Sequence, residues 1–467
     1  MQSNLHSSSF VVKPAKTSLF ETSRVKRSIK KWHQIHTILH AKLLCRVYLP
    51  HNQKTAMNTQ ICQKHQNANN EKFEKKYRLA DFFNAHWEDY LSLKNKPLVT
   101  YEQYKAVTAI RVCRTAVLGA DHYVCDECGD VSEVFHNCRN RFCPTCSWGD
   151  TMKWADKMKS QMLDLEHRHT VFTLPHALNG LVKRNGKELL NILLRTAADT
   201  LKDWAKHKHN ITIGVISVLH TYGETKGTHF HVHMIVSWGG IENGTGKLKP
   251  ILGKYVNYDF LKTKFRCKFE DALVALYNSK MLKHDFRNKV AFLSFLKRIN
   301  QKQWIIHMED PMPNPTAVIR YIGRYSKRAC LSEYKITEID GDFISFIYKD
   351  YKTIDQNNKP VERTLTLHYK DFFPRLLQHV PLRYFRMVRY YGLYATKTSL
   401  PEAYLSKNLE SDEDKLCEMD SPFVCTFCKK DKVYLYTVFD KRVREERLKA
   451  VFDINIHPSY IHKRHTA

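Results

Sequence analysis

Apolar residues recur along this chain with two different periods, and the elements it predicts change where the period changes. LADFFNAHWEDYLSL (79–93) and YEQYKAVTAIRVCRTAVLG (101–119) carry apolar positions three and four apart, the spacing of one helix face. A further helix falls near 150–165. HTVFTLP (169–175) reads as a strand stopped by proline, and LLNILLRTAADTLKDWAKH (189–207) as a long helix. ITIGVISVLH (211–220) and HFHVHMIVS (229–237) then form a hairpin that turns around Gly223 and Gly227. A helical stretch over about 258–299 precedes the strand QWIIHMED, and the prolines of PNPTAVIRYIGRYSKR stop before a helix that starts near Thr316. FISFIYKDY and TLTLHY return to the strand pattern ahead of another basic helical segment.

Residues 1–76 follow neither period: they are polar, rich in Ser, Lys, His and Asn and poor in carboxylates, so little packed structure is expected. An organelle transit segment and a start placed too early both fit that makeup, and the second is favoured, with Met57 nearer the true beginning. Charge adds a partner. The chain holds 75 Lys and Arg against 47 Asp and Glu, a formal net charge of +28, which suits displacement of counterions from phosphates. With 43% apolar residues over 467 positions it can build real cores, so it is no disordered basic tail. No apolar run approaches the roughly 18 residues of a membrane span, and no secretory signal opens the chain. A soluble, cytoplasmic protein with no membrane partner is expected. The 13 cysteines, several in CxxC pairs, read as reduced thiolates holding metal rather than as disulfides.

Three patterns carry chemistry. Cys125-x2-Cys128 and Cys143-x2-Cys146 have the spacing of two knuckles closing one structural zinc site, and Cys138 or His136 between them can replace one ligand. A closed thiolate site has no open coordination position and is not catalytic, while Arg139, Arg141 and Lys153 around it suit docking on DNA. On the strand HFHVHMIVS, alternation turns Phe230, Val232 and Met234 to the core and His229, His231 and His233 to the other side; which two or three bind an ion is not set by spacing. Tyr321 and Tyr325, one turn apart, share a helix face, with Arg320, Arg324, Lys327 and Arg328 placing positive charge beside the phenols. Imidazoles that hold a metal and two phenols that take turns at a phosphate are the equipment for nicking DNA. Cys425-x2-Cys428 is half of another zinc site, which Cys417 or His457 can complete.

Together, HFHVHMIVS, YIGRYSKR and the upstream CRTAVLGADHYVCDECGD…NCRNRFCPTC resemble the rolling-circle insertion-sequence transposases, specifically the two-tyrosine HUH family called insertion-sequence ninety-one. VFTLP (171–175), FIYKDY (346–351) and HVPLRYFRMVRYYGLYA (379–395) extend the resemblance over about residues 78–430. The resemblance implies an α+β fold: an HUH endonuclease domain, with an antiparallel sheet flanked by helices, preceded by a helical zinc-binding domain. Four regions are expected: an extension over 1–76 that has no counterpart in that family, a zinc-binding and DNA-binding domain over 77–160, a catalytic domain over 161–340, and a basic accessory region with the CxxC over 341–467. The resemblance makes His231 and His233 the ligands of a catalytic Mg²⁺ or Mn²⁺, with His229 open as a third, and Tyr321 and Tyr325 the nucleophiles. It makes single-stranded transposon ends and target DNA the partners, in the nucleoid of a bacterial cell. A rolling-circle replication initiator shares that chemistry. A zinc-dependent DNA-binding regulator without activity explains the charge and cysteines but leaves the histidines and tyrosines as coincidence.

Overall fold

The computed structural model describes residues 77–147, 154, 158, 161–312, 330–395, 400–406, 425, 427 and 429–438. The N-terminal extension, Lys153 and the segment with Arg320, Tyr321, Arg324, Tyr325, Lys327 and Arg328 lie outside them, as do Cys417, Cys428 and His457. In chain order the helices are α1 (Leu79–Ser92), α2 (Tyr101–Arg111), α3 (Asn179–Arg184), α4 (Gly186–His209), α5 (Tyr258–Asn278), α6 (Lys289–Asn300) and α7 (Tyr369–Leu377). The strands are β1 (Ala120–Val124), β2 (Val131–Phe135), β3 (His167–Thr173), β4 (Ile211–Tyr222), β5 (Thr228–Glu242), β6 (Leu248–Pro250), β7 (Ile305–Met308), β8 (Ile336–Asp340), β9 (Phe343–Ile354), β10 (Pro360–His368), β11 (Val388–Gly392) and β12 (Val433–Val438). Helices and antiparallel sheets make an α+β fold, as expected. Among the described residues no helix is long and apolar enough to cross a membrane.

The central sheet runs β11-β4-β5-β3-β7, with β6 hydrogen-bonded to β5. Its middle strand is the histidine strand, so both neighbours constrain β5 and its alternation is fixed by burial on the core side. Phe230, Val232 and Met234 do face the core, where they join Phe172 of β3, Leu219 of β4 and the apolar faces of α4, α5 and α6. Each such side chain contributes roughly 1.5–3 kcal/mol when removed from water, so a one-residue slip of β5 is strongly disfavoured. Gly239 and Gly240, within β5, allow its neighbours to approach closely: a β-carbon at Gly240 would lie 2.0 Å from the Thr212 carbonyl oxygen, and one at Gly239 2.7 Å from that of Lys249. On the opposite face, Ile216, Val218 and Ile235 pack against Trp154, Met158 and Met162.

The helical reading over 258–299 is divided in the structure. α5 ends at Asn278, and α6 starts afresh with the Asn288 side chain accepting from the Ala291 amide. α2 likewise stops at Arg111, short of the predicted segment's end at Gly119. Its start is a reciprocal capping box between Thr100 and Gln103.

A second core joins segments far apart in sequence. Phe82, Phe83 and Trp87 of α1 and Val107 and Ile110 of α2 pack with Phe346 of β9 and Phe372, Phe373 and Leu376 of α7. β12 pairs with β1 in the small sheet β12-β1-β2. Residues expected as an N-terminal domain and a C-terminal accessory region therefore share both a core and a sheet.

Candidate active site and metal centres

The histidine face of the sheet is assembled by register. His231 of β5 lies opposite His220 of β4 and Thr173 of β3, and His233 lies opposite Val218 and Val171. Directly paired residues project to the same side, so His220, His231 and His233 converge, each with a ring nitrogen within 4.8 Å of the others. The third member of the group is His220, not His229. His229 sits at the start of β5 against His176, with ring centroids 5.2 Å apart, and offers its backbone carbonyl to the His231 Nδ1 at 3.0 Å.

Hydrogen bonds select the nitrogen that each histidine presents. His231 Nδ1 donates to the His229 carbonyl, which leaves Nε2 as the lone-pair nitrogen. His233 Nδ1 lies 2.8 Å from His169 Nε2, and His169 Nδ1 lies 3.0 Å from the Glu309 carboxylate. The carboxylate beside His169 favours a proton on Nδ1. When Nδ1 carries the only proton on His169, its Nε2 accepts from His233 Nδ1, and His233 then turns Nε2 outward as the lone-pair nitrogen. Burial, reinforced by the neighbouring His220, pushes His231 and His233 well below the usual histidine range. Both are held neutral, the form that ligates metal. Three imidazoles on a rigid strand pair, His231 and His233 among them held neutral by burial, fit a divalent cation.

Cysteines gather differently from the expected single site. Cys113, Cys138, Cys143 and Cys146 form one group, and Cys125, Cys128 and Cys425 another. The pairs Cys125/Cys128 and Cys143/Cys146 are thus divided between two groups, and the one-site grouping is corrected. In the first, sulfur separations are 3.5 Å for Cys113–Cys146, 3.5 Å for Cys138–Cys146 and 3.6 Å for Cys143–Cys113. These are far longer than a disulfide and close to the edge of a tetrahedron of thiolates around zinc, about 3.8 Å for a Zn–S bond of about 2.3 Å. Hydrogen bonds from Cys138 and Cys143 lower Cys113 to about 7. His136 is committed elsewhere: Nδ1 lies 3.0 Å from the Leu118 carbonyl and Nε2 3.0 Å from Asp121. Arg139 and Arg141 are exposed beside this group, the latter donating to the Phe385 carbonyl at 3.2 Å.

A family model described as "Putative transposase" matches residues 214–400, which span the histidine strand, and one described as "Transposase zinc-binding domain" matches residues 82–174, which span the four-cysteine group. Over these residues the chain is similar to transposases of the insertion-sequence ninety-one kind. One relative, "Putative transposase y4qJ" of Sinorhizobium fredii, is 29% identical over 327 residues, covering 68% of this chain and 80% of the relative. Another, "Transposase for insertion sequence element IS801" of Pseudomonas savastanoi pv. phaseolicola, is 29% identical over 316 residues, covering 65% and 73%. No solved structure matches the transposase. Both matches and both relatives point to DNA transposition, and the zinc-binding match spans the four-cysteine group.

Proposed function

We propose that the transposase nicks and rejoins single-stranded DNA at the histidine face, through a 5′-phosphotyrosine formed on Tyr321 or Tyr325. The observation that carries this reading is the convergence of His220, His231 and His233, two of them with hydrogen bonds that present Nε2. Mg²⁺ or Mn²⁺ bound by these nitrogens supplies Lewis-acid polarisation of the phosphate's non-bridging oxygens. The chain's own residues do the rest. The sheet fixes the imidazoles, burial keeps His231 and His233 neutral, and His169, with Glu309 beside it, meets His233 Nδ1.

The tyrosine segment lies outside the described residues, and its upstream flank joins the same sheet. Met312 exchanges backbone hydrogen bonds with His167 of β3 at 2.8 and 3.1 Å, and Glu309 reaches His169 two residues further along that strand. The chain thus leaves the described residues from the β7 edge of the same sheet. In the step itself, a phenol loses its proton and its oxygen bonds to phosphorus, while the bond from phosphorus to the 3′ oxygen breaks. The 3′ oxygen leaves with a proton as a free hydroxyl. The phosphotyrosine conserves the bond energy, so joining to a new 3′ hydroxyl needs no nucleotide cofactor. The second tyrosine lets donor and target strands be held in turn. Arg320, Arg324, Lys327 and Arg328 supply charge to the phosphate, while Arg139 and Arg141 extend the contact beside the zinc-binding domain.

Incubating the full chain with a labelled single-stranded transposon end and Mn²⁺ tests this. A denaturant-stable protein–DNA adduct that disappears on chelation and in His231→Ala is expected. An adduct of equal yield with the chelator present would remove the metal from the reaction.

A further inference from the structure

Cys125, Cys128 and Cys425 come from opposite ends of the chain and belong to neither of the expected arrangements. We propose that they form a second structural zinc site, separate from the four-cysteine group, which clamps the C-terminal strand β12 to the N-terminal zinc-binding domain. Cys128 and Cys425 have their sulfurs 3.5 Å apart although 297 positions separate them in sequence. Cys425 lies outside both matched family regions.

The backbone around the two CxxC motifs is folded in the same way. The Cys125 carbonyl accepts from the Gly129 amide at 2.8 Å, and the Cys125 amide donates to the Asp130 carbonyl at 2.9 Å. The Cys425 carbonyl accepts from the Lys429 amide at 2.9 Å, and the Cys425 amide donates to the Lys430 carbonyl at 2.8 Å. The residue four after each first cysteine is left-handed, Gly129 with φ +73° and Lys429 with φ +59°. For Lys429 that conformation costs energy, so something must hold it. Cys125, Cys128 and Cys425, with their sulfurs within 4.8 Å of one another beside adjacent antiparallel strands, offer thiolates to a tetrahedral soft cation, and zinc suits them. Cys428 supplies a fourth thiol in the sequence and lies outside the described residues.

The energetics also require a clamp. The three-stranded sheet has almost no core: Ala120 is the only buried residue of β1, β2 alternates between half-buried and exposed, and Val433, Tyr434 and Leu435 of β12 are exposed. Three strands without a hydrophobic face do not hold a segment recruited across 297 residues. Charge pairs frame the cage, with Lys432 on Asp130 at 2.6 Å and Lys430 on Glu127, yet the second is exposed and contributes little. Metal binding supplies the missing folding free energy.

The site does not rest on the tyrosine chemistry, and its test does not use activity. The full chain, expressed in cobalt-supplemented medium, is assayed for thiolate-to-cobalt charge-transfer absorption, to which histidine-held cobalt does not contribute. Two thiolate-held ions per wild-type chain are expected, with the absorption roughly halved in Cys425→Ser and unchanged in Cys267→Ser, whose thiol is exposed and outside both groups. One thiolate-held ion in the wild type, measured without any substitution, overturns the proposal. So does a Cys425→Ser chain that keeps two.

Discussion

Glu309→Gln isolates the part of the histidine site that does not touch the metal. In the wild type the carboxylate lies 3.0 Å from His169 Nδ1, and His169 Nε2 meets His233 Nδ1 at 2.8 Å. Glutamine keeps the size but brings an amide that donates as well as accepts. When its N–H faces His169, the proton moves to His169 Nε2, His233 Nδ1 becomes the acceptor, and His233 Nε2 becomes protonated and unable to ligate. The carboxylate's contribution to ligand basicity is also lost. Partners of this kind change metal affinity by about 10–100-fold, or about 1.4–2.7 kcal/mol. Mn²⁺ titration followed by electron paramagnetic resonance measures this directly. Weakened Mn²⁺ binding is expected, with the Nε2 of His233 shifting toward the protonated form in ¹⁵N spectra of the metal-free chain. Unchanged affinity together with an unchanged His233 tautomer would refute the relay.

Three further predictions follow from the same geometry. His220→Ala should weaken Mn²⁺ binding by at least as much as Glu309→Gln, since it removes a ligand, whereas His229→Ala should leave affinity within about twofold; the reverse order in the same titration would restore His229 as third ligand. Cys143→Ser should lower zinc content and the denaturant midpoint, because structural zinc contributes folding free energy; full zinc by elemental analysis would remove Cys143 from the site. Stability should fall on acidification from about pH 6.5 toward 4. Burial lowers His167 and His379 to about 4 each, so between these values the unfolded chain binds more protons than the folded one, at a cost approaching about 3 kcal/mol per histidine. Urea midpoints that stay flat over that range would contradict buried neutral histidines.

Much of the central sheet was legible because period-two alternation on β5 admits one burial pattern: Phe230, Val232 and Met234 inward, His231 and His233 outward. His220 was not legible. Tyr222 pairs with Thr228, and continuing that register would set His220 opposite Phe230, on the core side. A bulge between His220 and Tyr222 moves it opposite His231 instead, and nothing in the local sequence announces the extra residue. The thiol groups escaped for a different reason. Spacing rules pair neighbours along the chain, whereas Cys113 joins from the end of α2, where it reads as one more apolar helix position, and Cys425 arrives with β12. His169 and Glu309 bear no motif; they meet only because β3 and the end of β7 lie side by side.

Mapping the covalent adduct tests the central claim most directly. The full chain is reacted with a single-stranded transposon end and Mn²⁺, digested with protease and nuclease, and the nucleotide-bearing peptide is sequenced by mass spectrometry. A 5′-phosphate linked to Tyr321 or Tyr325 is predicted, with each single Phe variant shifting the adduct to its partner and the double Phe variant forming none. An adduct that persists in the double variant, on Tyr334 or any other residue, would contradict the account.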